Sequence, residues 1–320
     1  MDIADPRERV GDPGGMTRLQ PLPGGLPERF HVAHAREKGA SRTRLRASDL
    51  SAPFHGVRSR SLGEADTILD RCRSYVPRLA PGQFFSHETV FVLRGLSTPE
   101  WPYVPRIHVS AHRPAREPRT RGVVGHRLQT REPAIDVGPE GMPIENAVRA
   151  WRQCGRLWSL DDLVAGADAL LAGRHPLAAL GDLEEEVALM GDVRGGILRR
   201  SLALARPGVR SPRETRLRLL LVRRGFPEPD VNVDIFSTRG EFVAEIDLAF
   251  AAWRVAVEYD GRVHAEDPRQ FARDADRWAA IRDAGWDHVR ILNHHLRGGG
   301  APAVAMVRAA LIRAGWRPGL

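Results

Sequence analysis

The sequence predicts an α/β chain of several domains, and three observations carry that expectation. Its 320 residues are more than one hydrophobic core organises, so two or three domains are expected. Residues 205–320 alternate helical and strand periodicities in the order αβββαβα, the pattern of a mixed sheet covered by helices. Charge is unevenly spread, since residues 1–130 alone carry a net +8 while the rest of the chain is balanced. A basic module joined to a neutral one suggests a polyanionic partner. Almost every basic side chain is arginine, with Lys38 the only lysine, a bias that genome composition explains equally well.

The composition, 42% hydrophobic and 28% charged, is that of ordinary globular proteins. No apolar run is long enough to span a bilayer, so no membrane partner and a cytoplasmic location are expected. Cys72 and Cys154 lie far apart without zinc-ligand spacing and read as core cysteines rather than a disulfide framework.

Residues 1–28, rich in proline, glycine and charge, read as a disordered leader. Residues 29–62 follow as a winged-helix-like module: a helical pattern from Phe30 to Gly39, then a second from Arg42 to Asp49 capped by Ser41, then a strand near Phe54 to Arg58. Arg42, Arg44 and Arg46 in the second element are the candidate DNA contacts, and a small helical hairpin with a solvated basic face is the alternative.

Residues 63–204 read as an α+β middle domain. Helical patterns around Ile68, Leu69, Cys72 and Tyr75, then around Val90, Val92 and Leu93, precede two strands. These strands, Ile107 to Val109 and Val123 to Leu128, flank a Pro- and Arg-rich loop as a long-looped hairpin would. His108, His112 and His126 are then expected to meet across it, as metal ligands or as ordinary exposed strand histidines. A helical pair over Pro143 to Gly173, with Ser159 as a cap, and a helix over Leu183 to Met190 complete the region.

Residues 205–320 supply helix Pro212 to Arg224, strands near Val231 to Phe236, Phe242 to Phe250 and Trp253 to Tyr259, helix Pro268 to Ala284, strand His288 to Leu292 and helix Ala303 to Ala314. Side chains alternate along a strand, so Glu258 and Asp260 share a face, and the short turn at Ala251 and Ala252 lets Asp247 face Glu258. Carboxylates that close repel unless a cation sits between them, and hard oxygen ligands suit Mg²⁺ or Mn²⁺. Two ordinary roles compete. Ser211-Pro212-Arg213-Glu214 is a capping box in which Glu214 satisfies a backbone N–H, and Asp247 and Glu258 can instead pair with Arg254 or Arg273.

Ser211-Pro-x-Glu214, Asp247, Val257-Glu258-Tyr259-Asp260-Gly261-x-x-His264, Arg273-Asp274-x-x-Arg277 and a closing strand before Asn293 resemble the domain of unknown function related to very-short-patch-repair endonucleases. That domain belongs to the PD-(D/E)XK restriction-endonuclease-like superfamily. The resemblance covers residues from about 205 to 316. It implies a Mg²⁺-dependent (or Mn²⁺-dependent) DNA endonuclease fold in which Asp247 and Glu258 bind metal, Glu214 is an acidic partner, and Asp260 and His264 line the site. The superfamily's catalytic lysine falls at Asp260, so charge stabilisation would come from Arg262, His264, Arg273 or Arg277, with His264 or a metal-bound hydroxide handling the proton. The front part more loosely resembles AbiEi-type antitoxin and regulator proteins. The alternative expectation is therefore a non-catalytic DNA-binding transcriptional regulator or antitoxin with a degenerate nuclease-like domain.

Overall fold

A computed structural model describes residues 20–63, 67–100, 102–261 and 268–318. Arg262, His264 and most of the expected leader lie outside them. The chain divides into two compact units, residues 1–81 and 82–320.

The first unit holds β1 (Arg29–His31), α1 (Val32–Glu37), a single 3₁₀ turn at Arg44–Arg46, β2 (Val57–Ser59) and α2 (Ile68–Tyr75), closed by a second 3₁₀ turn. β1 and β2 pair antiparallel, with Phe30 opposite Arg58. Phe30, Ala35, Leu45 and Leu50 form its core together with Leu26. Leu26 is thus an anchor inside a segment whose proline and glycine content disguises it. Gly39 ends α1 at φ +97, and Ser41 Oγ accepts the Arg44 N–H, both as the sequence predicts. The second helix, however, is only one 3₁₀ turn, and α2 belongs with this unit rather than with the middle region.

In the second unit, β3 (Gln83–Phe85), α3 (Glu88–Leu93), β4 (Ile107–His112), β5 (Val123–Leu128), β6 (Ile135–Val137) and β7 (Pro143–Glu145) come first. Their five strands form one sheet in the order β5-β4-β3-β7-β6. β4 and β5 run parallel, not as the expected hairpin. Alternation of apolar residues is silent about strand direction, and residues 113–122 are long enough when extended to carry the chain back beside β4. The returning loop passes so close to β5 that a Cβ on Gly125 would lie 2.1 Å from the Pro118 carbonyl oxygen. α4 (Ala147–Cys154), α5 (Leu160–Leu171), α6 (Leu180–Met190) and α7 (Ile197–Leu204) follow, with Ser159 capping α5.

The remaining elements are α8 (Pro212–Arg223), β8 (Asp230–Phe236), β9 (Phe242–Phe250), β10 (Val255–Asp260), α9 (Pro268–Asp283), β11 (Asp287–Leu292) and α10 (Ala301–Arg313), the expected αβββαβα order. The sheet runs β11-β10-β9-β8, antiparallel except for the β10–β11 pair. Leu217 and Leu221 of α8 and Val304, Val307 and Leu311 of α10 pack with Val255 and Val257 on one face. Ile281 of α9 packs with Ala256 and Ile246 in a separate cluster. The expected domain boundary at 204/205 is bridged: Asp168 of α5 accepts the Thr215 hydroxyl (2.8 Å) and the Arg206 N–H (2.7 Å) and pairs with buried Arg218.

Candidate functional site

The acidic site forms where β9 and β10 lie side by side. Antiparallel register pairs Leu248 with Val257, the residues next to Asp247 and Glu258, and Asp247 Oδ2 accepts the Tyr259 N–H at 2.8 Å. Glu214 comes from the first turn of α8, where Ser211 Oγ caps the Glu214 N–H (3.2 Å). Glu214 Oε2 accepts the Arg210 N–H (3.0 Å) and the Asn232 side chain (3.3 Å), so it does help cap the helix entry, one residue earlier than the simple capping box places it.

The three carboxylates have different environments. Burial pushes the Asp247 carboxyl up to about 7. The Tyr259 N–H opposes the rise, and the negative charges of Glu214 and Glu258 reinforce it. Burial also works against ionised Glu258, but hydrogen bonds from His288 and Arg277 prevail and hold it below the ordinary carboxylate range. His288 Nε2 lies 2.6 Å from Glu258 Oε2, and Arg277 bonds Glu258 Oε1 and, at 2.9 Å, the Glu245 carbonyl. The Glu258 partners are thus Arg277 and His288, which the sequence reading did not pair with it, rather than Arg254 or Arg273. Asp260 accepts from the Arg290 guanidinium, which also lies 4.3 Å over the Trp278 ring. β11 delivers both partners because His288 and Arg290 alternate onto one face, in parallel register with Ala256 and Glu258. Arg273 is exposed on α9.

In the first unit, Arg42 and Arg46 are exposed. Arg44 is buried, and its two terminal nitrogens grip both Asp49 oxygens at 2.8 and 2.6 Å. The expectation that Arg44 meets DNA is corrected accordingly: its guanidinium is a structural tie of the unit.

The histidine expectation is corrected as well. Among the described residues, one group of three or more metal-ligating side chains comes together, and it is His87, His108 and His126. Glu214, Asp247 and Glu258 do not close to that extent. Because β4 and β5 are parallel, Ser110 lies opposite His126 and the His108 ring reaches the His126 ring, while His112 Nδ1 turns to the Gln129 carbonyl (2.8 Å). His87 takes the third place from the end of β3. No strand or helix periodicity marks it, because it stands at a turn with φ 54 and ψ −141, a conformation rare outside glycine.

Two curated proteins are similar to this chain: the uncharacterized protein MT2308 of Mycobacterium tuberculosis strain CDC 1551 / Oshkosh and the uncharacterized protein Rv2248 of M. tuberculosis strain ATCC 25618 / H37Rv. Each is 29% identical over 175 residues, which cover 54% of this chain and 60% of the relative. No family model and no solved structure matches. No helix among the described residues is long and apolar enough to cross a membrane.

Proposed function

We propose that the region from residue 205 onward hydrolyses phosphodiester bonds of DNA with Mg²⁺ or Mn²⁺, while basic residues of the first unit hold the nucleic acid. The observation that carries this reading is Asp247, a half-buried carboxylate with one backbone donor and two further carboxylates raising its pKa. Such a site gains from a hard divalent cation, which relieves the repulsion and restores the charge of Asp247. Asp247 and Glu258 would hold the ion, with Glu214 beside them. The ion would supply water activation and neutralisation of the phosphate's developing charge. Arg277, already hydrogen-bonded to Glu258, and Arg273 on the same helix are the cations for the phosphate oxygens. His264, outside the described residues, and Asp260 are the groups assigned to proton transfer, a role closed to arginine.

A second reading is favoured by a specific observation. Glu258 and Asp260 are each paired with an arginine, Arg277 and Arg290 respectively, so two of the site's acidic positions are already neutralised. A DNA-binding regulator or antitoxin with a degenerate nuclease-like domain would be built this way.

Nicking of supercoiled plasmid separates the two. Purified full-length protein with Mg²⁺ or Mn²⁺ is expected to nick, and Asp247→Ala and Glu258→Ala are each expected to abolish nicking while leaving DNA binding intact. Inactive wild-type protein that binds one DNA sequence tightly, with or without Asp247, would establish the regulator instead.

A further inference from the structure

We propose that His87, His108 and His126 form a Zn²⁺ site in the middle of the chain, separate from the acidic site and specific for a nitrogen-seeking metal. Each offers a ring nitrogen, and the three lie within 4.8 Å of one another. Coordination requires them to draw in to the roughly 3.4 Å spacing of a tetrahedron with ~2.1 Å zinc–nitrogen bonds, and the His87 and His126 rings, stacked with centroids 3.8 Å apart, to turn so that their nitrogens converge. The His108 Nδ1 to His126 Nε2 contact, 2.8 Å, would open slightly to admit the ion.

The surroundings are those of a ligand set rather than a chance cluster. Glu88, fully buried on the first turn of α3, accepts from the Arg106 N–H (2.7 Å), the Trp158 indole (3.1 Å) and the Tyr103 hydroxyl. His108 Nε2 lies 3.3 Å from Glu88 Oε1. A carboxylate there accepts the Nε2 proton, which leaves the Nδ1 lone pair aimed at His126. This is the carboxylate–histidine pairing that fixes tautomer and orientation in metal sites. On His87 the Nδ1 atom is taken by Ser86 Oγ (2.9 Å), itself bonded by Ser110 Oγ (2.6 Å), so Nε2 remains for a ligand.

The backbone is committed to the same end. The left-handed conformation of His87 is held by its N–H, which donates to Gln153 Oε1 at 3.1 Å. Strain of that kind persists where surrounding structure enforces it. Without a metal the proton between His108 and His126 belongs to His126 Nε2. On binding it moves to His126 Nδ1, so no charge is lost from the site and no co-reactant is needed.

Three imidazoles select zinc over Mg²⁺ and Mn²⁺, which prefer oxygen, and leave one coordination position for water or an anionic ligand. His126 is half-buried, so the site opens on that side.

The test uses full-length protein stripped with chelator, dialysed against micromolar free Zn²⁺ and assayed for bound metal. Co²⁺ is added separately to read the visible bands of tetrahedral nitrogen ligation. One zinc per chain is expected in the wild type and in Asp247→Ala, which removes the acidic site. His126→Ala, at the more exposed position, should lose stoichiometric zinc while keeping its circular dichroism. Glu88→Gln should weaken affinity by roughly 10–100-fold without removing a ligand. Wild-type protein that takes up no zinc at these concentrations overturns the proposal, whatever the folding of the variants. So does zinc that remains bound in folded His126→Ala, or that disappears in Asp247→Ala.

Discussion

Glu145 shows how one side chain can set a pH dependence. It is fully buried at the end of β7, where Oε2 accepts the Gln153 amide at 2.9 Å and Oε1 has no partner. Burial raises its pKa from 4.5 to about 7, against the Gln153 hydrogen bond. The folded state therefore holds this proton more tightly than the unfolded chain. The stability it contributes is complete below about pH 4.5 and is lost as pH rises through about 7. In Glu145→Gln nothing ionises there. Chemical denaturation of metal-free protein should show the variant gaining about 2–3 kcal/mol on the wild type between pH 5 and pH 8. A gap that does not change with pH would mean that Glu145 is not the buried proton-binding group. At this scale the sequence was informative about Asp247 and Glu258, because strand alternation across a tight turn is local. It did not show that Arg277 and His288 pair with Glu258, because they reach it from elements whose placement depends on tertiary packing.

Elements with strong periodicity were legible nearly to the residue, and α8, β9 and β11 stand within two residues of where their patterns place them. What failed was pairing. The parallel β4–β5 pair looks like a hairpin in sequence because both arrangements use alternating apolar residues. A clue was Gly125 inside a strand pattern, which marks close backbone approach, here by Pro118. That misreading also chose His112 over His87. The join between α5 and α8 was missed for a different reason: buried Asp168 and Arg218 lie 50 residues apart, and charged residues inside helices usually read as solvated faces. Arg218 also donates to the Leu204 carbonyl at 2.6 Å and to Glu228 at 2.8 Å, so it ties α8 to two further segments. Arg218→Leu removes that tie and leaves Asp168 buried without its cation, so it should lower unfolding free energy by about 3–5 kcal/mol in urea titration. A loss below about 1 kcal/mol would show the junction to be held by apolar contacts alone.

For the whole molecule, charge is the property with consequences beyond any single site. The net +8 lies within residues 1–130. Within the first unit, Arg42 and Arg46 face solvent beside a 3₁₀ turn, while Arg44 is consumed by Asp49. Phosphate contacts release counterions, so the logarithm of affinity falls with the logarithm of salt concentration by about 0.9 per contact. Replacing both exposed arginines with alanine should flatten that slope by about 1.8 and weaken binding to all duplexes alike. Arg44→Ala should instead lower the stability of the first unit, since Asp49 then loses its partner. Asp247→Ala should leave the salt slope untouched, because it removes no cation. A slope unchanged in the double variant would move the phosphate contacts to other arginines, with Arg273 and Arg277 of α9 the next to replace. In that case the region beyond residue 205 would bind DNA as well as present the carboxylates, and the basic first part would have to be explained by another polyanion.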